Sequence, residues 1–130
     1  MADKKVLVVD DEIHIVHVVT IKLRNNGYEV VSASDGAEAY EAACREKPDI
    51  VVTDYQMPVM TGLELIEKLR QTQATSDIPV IMLTARSFSL EDEQKERLRI
   101  SKCLSKPFSP KELLRDIEDV LYQQAVSQNS

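Results

Sequence analysis

The sequence predicts an α/β fold: a doubly wound, five-stranded parallel sheet of order 2-1-3-4-5 with helices on both faces. Five short apolar runs recur along the 130 residues, and each is continuous rather than alternating. Such runs are typical of strands that are buried on both faces. Segments with the spacing of amphipathic helices separate the runs. Regular alternation of strand and helix indicates parallel strands joined by right-handed crossovers.

The predicted strands contain the apolar residues 6–9, 30–31, 50–52, 80–83 and, more weakly, 103–104. Helical spacing is clearest in three of the intervening segments, at Ile13, Val16, Thr20 and Leu23, at Leu63, Ile66 and Leu69, and at Leu113, Ile117 and Val120. Because these residues recur every three or four positions, we expect them to face the sheet.

Residues that begin and end helices lie where this pattern requires them. Four pairs combine an N-cap oxygen with a carboxylate three residues later, namely Asp35 with Glu38, Thr61 with Glu64, Ser89 with Asp92, and Ser109 with Glu112. Pro110 fits the first position of the last helix, where no backbone hydrogen bond is lost. Asn25-Asn26-Gly27 predicts a left-handed end for the first helix.

The chain has enough apolar material for one core, since 43% of its residues are hydrophobic. We predict one domain over residues 1–124 and a polar C-terminal tail over residues 125–130, with fraying from Gln123 onward. The net charge of -6 and the pI near 4.9 disfavour direct binding of nucleic acid, because phosphate binding depends on clustered Lys and Arg.

The N-terminal apolar run is too short for a signal peptide or a membrane span. Cys44 and Cys103 are far apart and form no metal-binding motif. We therefore expect a cytoplasmic protein without membrane contact, in which both thiols are free.

Polar residues follow four of the predicted strands at their carboxyl ends: Asp10 and Asp11, Asp54, Thr84 and Lys106. In open parallel sheets, ligands bind at this edge. The predicted strand order makes the first and third strands neighbours, so Asp10 and Asp11 should lie against Asp54. Carboxylates packed this closely repel one another unless a cation lies among them. Since all the ligands are oxygens, the pattern favours Mg²⁺, with Mn²⁺ as the alternative.

Lys106 and Thr84 then fit a role in receiving phosphoryl oxygens, because phosphoryl transfer depends on positioning and charge neutralisation. On this interpretation the Asp54 carboxylate is the nucleophile, and the product is an aspartyl phosphate.

Four motifs carry a family resemblance: Val-Val-Asp-Asp-Glu at residues 8–12, Val-Thr-Asp-Tyr-Gln-Met-Pro at residues 52–58 with Gly62 following, Leu-Thr-Ala at residues 83–85, and Lys106-Pro107-Phe108. With them the chain resembles, over nearly its whole length, the response-regulator receiver domains of two-component signalling systems, whose fold is flavodoxin-like. The resemblance implies that Asp54 is phosphorylated and that Asp10, Asp11 and the backbone carbonyl of Gln56 help to hold Mg²⁺.

The same resemblance implies that Thr84 and Lys106 sense the phosphoryl group and that the bond between Lys106 and Pro107 is cis. It implies a phosphohistidine donor on a sensor histidine kinase or a phosphotransfer protein, and a downstream protein that reads the change. Such a domain modifies itself and is not an enzyme acting on external substrates. A homodimer formed on phosphorylation, through the face from the fourth to the fifth helix, is left open.

Several positions depart from the family pattern. Cys103 stands where the family usually has an aromatic switch residue, and Arg99-Ile100 stands where many relatives have Gly-Ala, which indicates a reshaped loop into the last strand. Gln56 and Arg86 occupy positions that tune the lifetime of the phosphate in relatives. We hypothesise that the Arg86 guanidinium reaches over the phosphorylated site.

Rival functions fit less well. A flavodoxin-type electron carrier needs a loop that cradles phosphate after the first strand, whereas residues 10–12 are all acidic. A phosphatase with an aspartyl-phosphate intermediate would need a substrate-binding cap, and none is visible. A degenerate receiver that only binds partners is the remaining alternative.

We interpret His14 and His17 as structural residues and residues 91–97 as a solvated helix face.

Overall fold

A computed structural model of the chain describes residues 4–84 and 92–128. Strands and helices alternate along it in the order β1 (Lys5–Val9), α1 (Ile13–Arg24), β2 (Glu29–Ala33), α2 (Gly36–Glu46), β3 (Ile50–Asp54), α3 (Gly62–Gln71), β4 (Val80–Thr84), α4 (Asp92–Leu98), β5 (Ile100–Ser105) and α5 (Pro110–Gln128). A short 3-10 helix, Gln73–Thr75, connects α3 to β4. The predicted alternation is confirmed.

The strands form one parallel sheet of order β2-β1-β3-β4-β5, as predicted. Thr53 on β3 pairs with Val9 at the end of β1, and Asp54 pairs with Leu83 near the end of β4. Because all pairs are parallel, the carboxyl ends of the strands meet at one edge of the sheet. The chain thereby brings together residues that are far apart in sequence.

Two apolar layers enclose the sheet. Val6 and Val8 on β1 pack in the layer that contains the buried residues of α1 and α5. Leu7 and Val9 point to the opposite side and pack with the buried residues of α2 and α3. This alternation follows from the two-residue period of a strand. The prediction of helices on both faces is confirmed.

The edge strands differ from the central ones. Every residue of β3 and β4 is buried, whereas Ala33 is the only buried residue of β2, and β5 alternates between half-buried and exposed positions. The expectation that all five apolar runs are buried on both faces is therefore wrong for β2 and β5. Each lies at an end of the sheet, has one strand neighbour, and is only partly covered by helices.

The predicted caps are formed at three helices. Asp35 accepts from the Glu38 backbone N–H at 2.8 Å. Thr61 with Glu64 and Ser109 with Glu112 each form a reciprocal capping box, with the four distances between 2.9 and 3.2 Å. Gly27 ends α1 with φ 90, and Pro110 begins α5. Ser89 and the side chain of Asp92 lie outside the described residues.

Two helix expectations need correction. Val19 and Leu23 are the buried residues of α1, while Ile13, which we expected to face the sheet, is 74% exposed because it begins the helix beyond the end of β1. In addition, α5 continues to Gln128, so the segment from Gln123 that we expected to fray is helical up to that residue. The division into a domain and a tail at residue 124 stays a prediction.

The turn into β5 is irregular. Arg99 adopts φ 54, in the left-handed region that favours glycine, and its guanidinium contacts Asp77 at 3.1 Å. The pairing of β4 with β5 shifts register between Val80 and Ile81.

Cys44 and Cys103 are both free thiols, as expected. Over residues 4–84 and 92–128, the helices are too short or too polar for any of them to cross a bilayer.

Candidate functional site

Three strands deliver charged side chains to the carboxyl edge of the sheet. Asp10 follows β1, Asp54 ends β3, and Lys106 follows β5. The Lys106 Nζ lies 3.0 Å from Asp10 Oδ2 and 3.4 Å from Asp54 Oδ1. The predicted meeting of Asp10 with Asp54 is confirmed, and Lys106 lies between them.

Glu12 is a member of this cluster that sequence reasoning did not single out. Its Oε1 lies 3.0 Å from Lys106 Nζ, and its backbone N–H donates to Asp10 Oδ1 at 2.9 Å. Carboxylate oxygens of Asp10, Glu12 and Asp54 lie within 4.8 Å of one another. The one feature of the sequence that could have identified Glu12 is its position directly after Asp10-Asp11. Glutamates at helix starts are common and usually solvated, so this position alone does not indicate a site residue.

An open cleft of about 550 Å³ lies above Asp54, and we call it the acidic pocket. Its walls are formed by Asp11, Glu12, Asp54, Tyr55, Gln56, Met57, Pro58 and Lys106. The predicted residues Asp11 and Gln56 therefore face the same cleft as Asp54. Both are exposed, and Asp11 is not one of the three carboxylates in the tight cluster.

Burial governs the protonation of this cluster. Asp54 is 6% exposed and Asp10 is 1% exposed. Burial, followed by the charge of Asp10, raises the pKa of Asp54 from 3.8 to about 6. The pKa of Asp10 is also raised, mainly by burial. Burial lowers the pKa of Lys106, but its hydrogen bonds to Asp10 and Glu12 outweigh this effect and raise it to about 12.

The end of β5 is joined to the end of β4 beside the site. The Lys106 backbone N–H donates to the Thr84 carbonyl at 2.7 Å, and the Lys106–Pro107 peptide bond is cis, as the resemblance implies. Thr84 is buried, one residue beyond Leu83, the partner of Asp54 in the sheet. Cys103 lies on β5 opposite Met82 and is exposed.

The loop from β3 to α3 folds back tightly against Asp54. The Gly62 N–H donates to the Tyr55 carbonyl at 2.8 Å. A Cβ atom at Gly62 would lie 2.5 Å from the Asp54 carbonyl oxygen, so only glycine fits there without a backbone shift. The same loop holds Val59 at φ 74, a conformation that is unusual for a β-branched residue.

Other predicted residues lie away from the cluster. His14 and His17 are exposed on α1, and no metal-binding group found among the described residues contains either of them. Residues 93, 96 and 97 of α4 are exposed, which agrees with the predicted solvated face. Arg86 lies outside the described residues, so its hypothesised reach over the site stays a prediction.

The donor set of the acidic pocket fits a hard divalent cation. Its anionic side chains are carboxylates, and among the described residues neither His nor Cys lines it. Oxygen-only sites with an open side suit Mg²⁺, which keeps several of its waters. Burial, and then the charge of Asp10, raises the pKa of Asp54, and a cation bound among the carboxylates would relieve the repulsion between them. Such an acidic cluster is typical of receiver-domain Mg²⁺ sites.

Strand order and site together define an α/β module with a carboxylate and lysine centre at its topological switch point. The family model described as response regulator receiver domain matches residues 6–118. The chain belongs to this family.

Known regulators share this sequence over part of their length. The alkaline phosphatase synthesis transcriptional regulatory protein PhoP of Bacillus subtilis is 37% identical over 125 residues, which cover 96% of this chain and 51% of that protein. The probable transcriptional regulator ycf27 of Cyanophora paradoxa is 43% identical over 118 residues, which cover 91% of this chain and 48% of that protein. The chain thus spans about half the length of the curated relatives it matches.

Solved structures share the fold over almost their whole length. The chemotaxis response regulator CheY4 of Vibrio cholerae superposes with a TM-score of 0.84 at 35% identity, covering 92% of this chain and 99% of that one. The receiver domain of the sensor histidine kinase PA1611 from Pseudomonas aeruginosa, solved with a magnesium ion coordinated in its active-site cleft, superposes with a TM-score of 0.81 at 28% identity, covering 92% and 98%.

Proposed function

We propose that this receiver domain accepts a phosphoryl group on Asp54 in a Mg²⁺-dependent reaction, as the phosphoacceptor of a two-component phosphorelay. The observation that carries the proposal is the position of Asp54 in the acidic pocket, with the Lys106 ammonium 3.4 Å from its Oδ1. A nucleophilic carboxylate beside a cationic side chain suits phosphoryl transfer, which depends on positioning and on neutralisation of charge.

The carboxylate of Asp54 is the nucleophile. Its pKa of about 6 leaves it mostly ionised at neutral pH, even without a bound cation. An oxygen of Asp54 bonds to phosphorus as the bond from phosphorus to the donor atom breaks, and the electron pair leaves on the donor. With a phosphohistidine as donor, the leaving atom is an imidazole nitrogen, so a sensor histidine kinase or a phosphotransfer protein is the expected partner.

Four residues would hold Mg²⁺: Asp10, Asp11, Asp54, and Gln56 through its backbone carbonyl. When bound, the ion would neutralise charge on the phosphoryl oxygens. Asp11 and Gln56 are exposed on the wall of the acidic pocket, which leaves room for the waters that Mg²⁺ retains. Mn²⁺ has the same preference for oxygen ligands and could substitute.

Lys106 and Thr84 would bind the remaining phosphoryl oxygens. Their backbones are hydrogen-bonded to each other at 2.7 Å, so a shift of either would be passed to the ends of β4 and β5. Gln56 and Arg86 would tune the lifetime of the phosphate. Since Cys103 replaces an aromatic side chain, we expect the signal to reach a downstream protein, or a second copy of the chain, without an aromatic flip.

Acetyl phosphate tests this function directly. We expect intact-mass spectrometry to show a single added phosphoryl group on the wild type in the presence of Mg²⁺, and none after chelation by EDTA. Asp54→Asn should show no adduct. Asp119→Asn, which removes an exposed carboxylate on α5, is the matched control and should be modified like the wild type.

A folded wild type that gains no phosphoryl group with Mg²⁺ would contradict the proposal. It would favour the alternative of a degenerate receiver that acts only through protein contacts. An adduct that persists in Asp54→Asn would instead place the modification on another residue.

A further inference from the structure

The Lys106 ammonium has a full set of partners before any phosphoryl group arrives. An ammonium group has three N–H donors. Lys106 Nζ donates to Asp10 and to Glu12, each at 3.0 Å, and faces Asp54 at 3.4 Å. A phosphoryl group on Asp54 adds oxygens that compete for the same three donors, so the existing contacts must rearrange.

The two hydrogen-bonded carboxylates differ in their freedom to move. The Asp10 side chain is fully buried, and its other oxygen accepts from the Glu12 backbone N–H at 2.9 Å. The Glu12 side chain is 60% exposed. Moving Asp10 away from Lys106 would leave a buried charge without its partner, whereas the Glu12 carboxylate can be rehydrated.

We propose that Glu12 is a positioning residue that holds the Lys106 ammonium until a phosphoryl oxygen displaces it, and so slows phosphorylation of Asp54. This inference rests on the proposed function of Asp54. Glu12 touches neither the phosphorus nor the attacking oxygen in this scheme, and it acts through Lys106.

Electrostatic repulsion favours the replacement of Glu12 by a phosphoryl oxygen at Lys106 once transfer begins. Carboxylate oxygens of Glu12 and Asp54 lie within 4.8 Å of each other, so an anionic phosphoryl group on Asp54 repels Glu12. Glu12 and Lys106 also line a second, mostly apolar groove of about 600 Å³ beside α1 and Phe108. Because Glu12 lies at the border of the acidic pocket and this groove and is 60% exposed, its carboxylate can turn into solvent on release.

Glu12→Gln keeps the size of the side chain and removes its charge. In the assay, an Asp54 oxygen bonds to phosphorus as the phosphorus–oxygen bond of acetyl phosphate breaks, and acetate leaves with the electron pair. We expect an adduct rate about two- to fivefold above wild type, the range that corresponds to one exposed ion pair. The chain has no tryptophan, so the rate is followed by quenched-flow mass spectrometry.

Two further variants distinguish the contact of Glu12 with Lys106 from the negative charge of the Glu12 carboxylate. Glu12→Asp retains the charge but is one methylene shorter, so it should lose the 3.0 Å contact and also react faster than wild type. Glu41→Gln removes an exposed glutamate on α2, outside the acidic pocket, and should react at the wild-type rate. Wild-type behaviour of Glu12→Asp beside a fast Glu12→Gln would overturn the proposal, since the field of the carboxylate would then suffice.

The Lys106→Met background tests whether Glu12 acts through the lysine. Without the ammonium, Glu12→Gln should no longer change the rate. A rate increase of the same size in both backgrounds would overturn the positioning role. An unchanged rate in an otherwise phosphorylated Glu12→Gln protein would also overturn it, and would leave the proposed function of Asp54 intact.

A measurement made without Mg²⁺ or phosphodonor distinguishes the positioning role of Glu12 from the proposed phosphorylation of Asp54. The NMR resonance of the Lys106 ε-methylene should shift in Glu12→Gln and in Glu12→Asp, but not in Glu41→Gln. No shift in the Glu12 variants means that the contact does not hold the lysine in solution. If the Lys106 resonance shifts in the Glu12 variants but the wild type cannot be phosphorylated, the contact between Glu12 and Lys106 exists. The proposed function, and with it the effect of Glu12 on phosphorylation, is then wrong.

Discussion

At Asp54, burial and the neighbouring Asp10 carboxylate both oppose ionisation. The pKa of Asp54 is about 6 in the folded protein, whereas it is near 3.8 in the unfolded chain. Between these values the folded state binds more protons than the unfolded state, so this residue makes stability fall as the pH rises from about 4 to 6. Above pH 6 the full cost is present, about 3 kcal/mol at most.

Replacing this carboxyl group should therefore stabilise the protein at neutral pH. We expect Asp54→Asn, in the absence of divalent cations, to raise the free energy of unfolding by about 1–3 kcal/mol at pH 7.5, because no charge remains to be buried. The gain should shrink toward zero near pH 4, where Asp54 is protonated in the folded wild type. Urea denaturation at the two pH values measures both quantities.

Glu41→Gln is the control for the loss of one negative charge from the whole protein. We expect it to change stability by less than about 0.5 kcal/mol at either pH, as is usual for exposed positions. A gain in Asp54→Asn that is as large at pH 4 as at pH 7.5 would mean that packing, and not ionisation, causes it.

Among the elements, α3 is attached to two neighbouring segments by a single side chain. The Arg70 guanidinium donates to the carbonyls of Leu98 at 2.9 Å, Ile78 at 2.6 Å, Ser76 at 3.1 Å and Arg99 at 3.3 Å. It thus joins α3 to the segment before β4 and to the turn between α4 and β5. Burial, and then the charge of Arg99, lowers the pKa of Arg70 to about 10, so it stays charged at neutral pH.

Arg70→Met should destabilise this corner of the molecule. We expect a loss of about 2–4 kcal/mol, because several carbonyls lose a charged donor at once. Amide hydrogen exchange should increase most at the start of β5, near Ile100. Arg70→Lys should recover only part of the loss, since an ammonium cannot reproduce the planar fork of donors.

Arg45→Met is the matched control, because Arg45 is 64% exposed and pairs with Glu46 on the surface of α2. We expect it to cost less than about 0.5 kcal/mol. Equal losses in the Arg45 and Arg70 variants would show that the four carbonyl contacts contribute little.

At the scale of the whole molecule, the parallel sheet collects charges that the sequence keeps apart. Lys106 is 96 residues from Asp10, yet their side chains are hydrogen-bonded at 3.0 Å. The protein has a net charge of -6, and the carboxyl edge of the sheet adds a local cluster of carboxylates to this excess. A divalent cation should therefore stabilise the fold as a whole, and not only the site.

We expect Mg²⁺ to raise the free energy of unfolding by about 1.4 kcal/mol when its concentration is ten times its dissociation constant. Thermal denaturation over a series of MgCl₂ concentrations measures the effect. Asp54→Asn should show a much smaller response, and NaCl at matched ionic strength should not reproduce it. An equal response of both proteins would point to general screening of the negative charge.

Local patterns in the sequence predicted most of the fold. Continuous apolar runs identified the central strands, and the capping pairs at Asp35, Thr61 and Ser109 identified three helix starts. These features depend on neighbours within a few residues, so they can be read without knowledge of the tertiary structure. Asp10, Asp54, Thr84 and Lys106 could be placed at one sheet edge because each comes at the carboxyl end of an apolar run.

Other features depended on tertiary structure. The edge position of β2 and β5 set their exposure, and the location of Ile13 beyond the end of β1 left it in solvent. The sequence shows Glu12 directly after Asp10-Asp11 but could not show that Lys106 reaches it from 94 residues away. Burial at the end of β3 likewise sets the pKa of Asp54. The sequence by itself determined which chemical groups lie at the edge of the sheet, whereas their contacts and protonation were decided by packing, because both depend on distance and on exclusion of water.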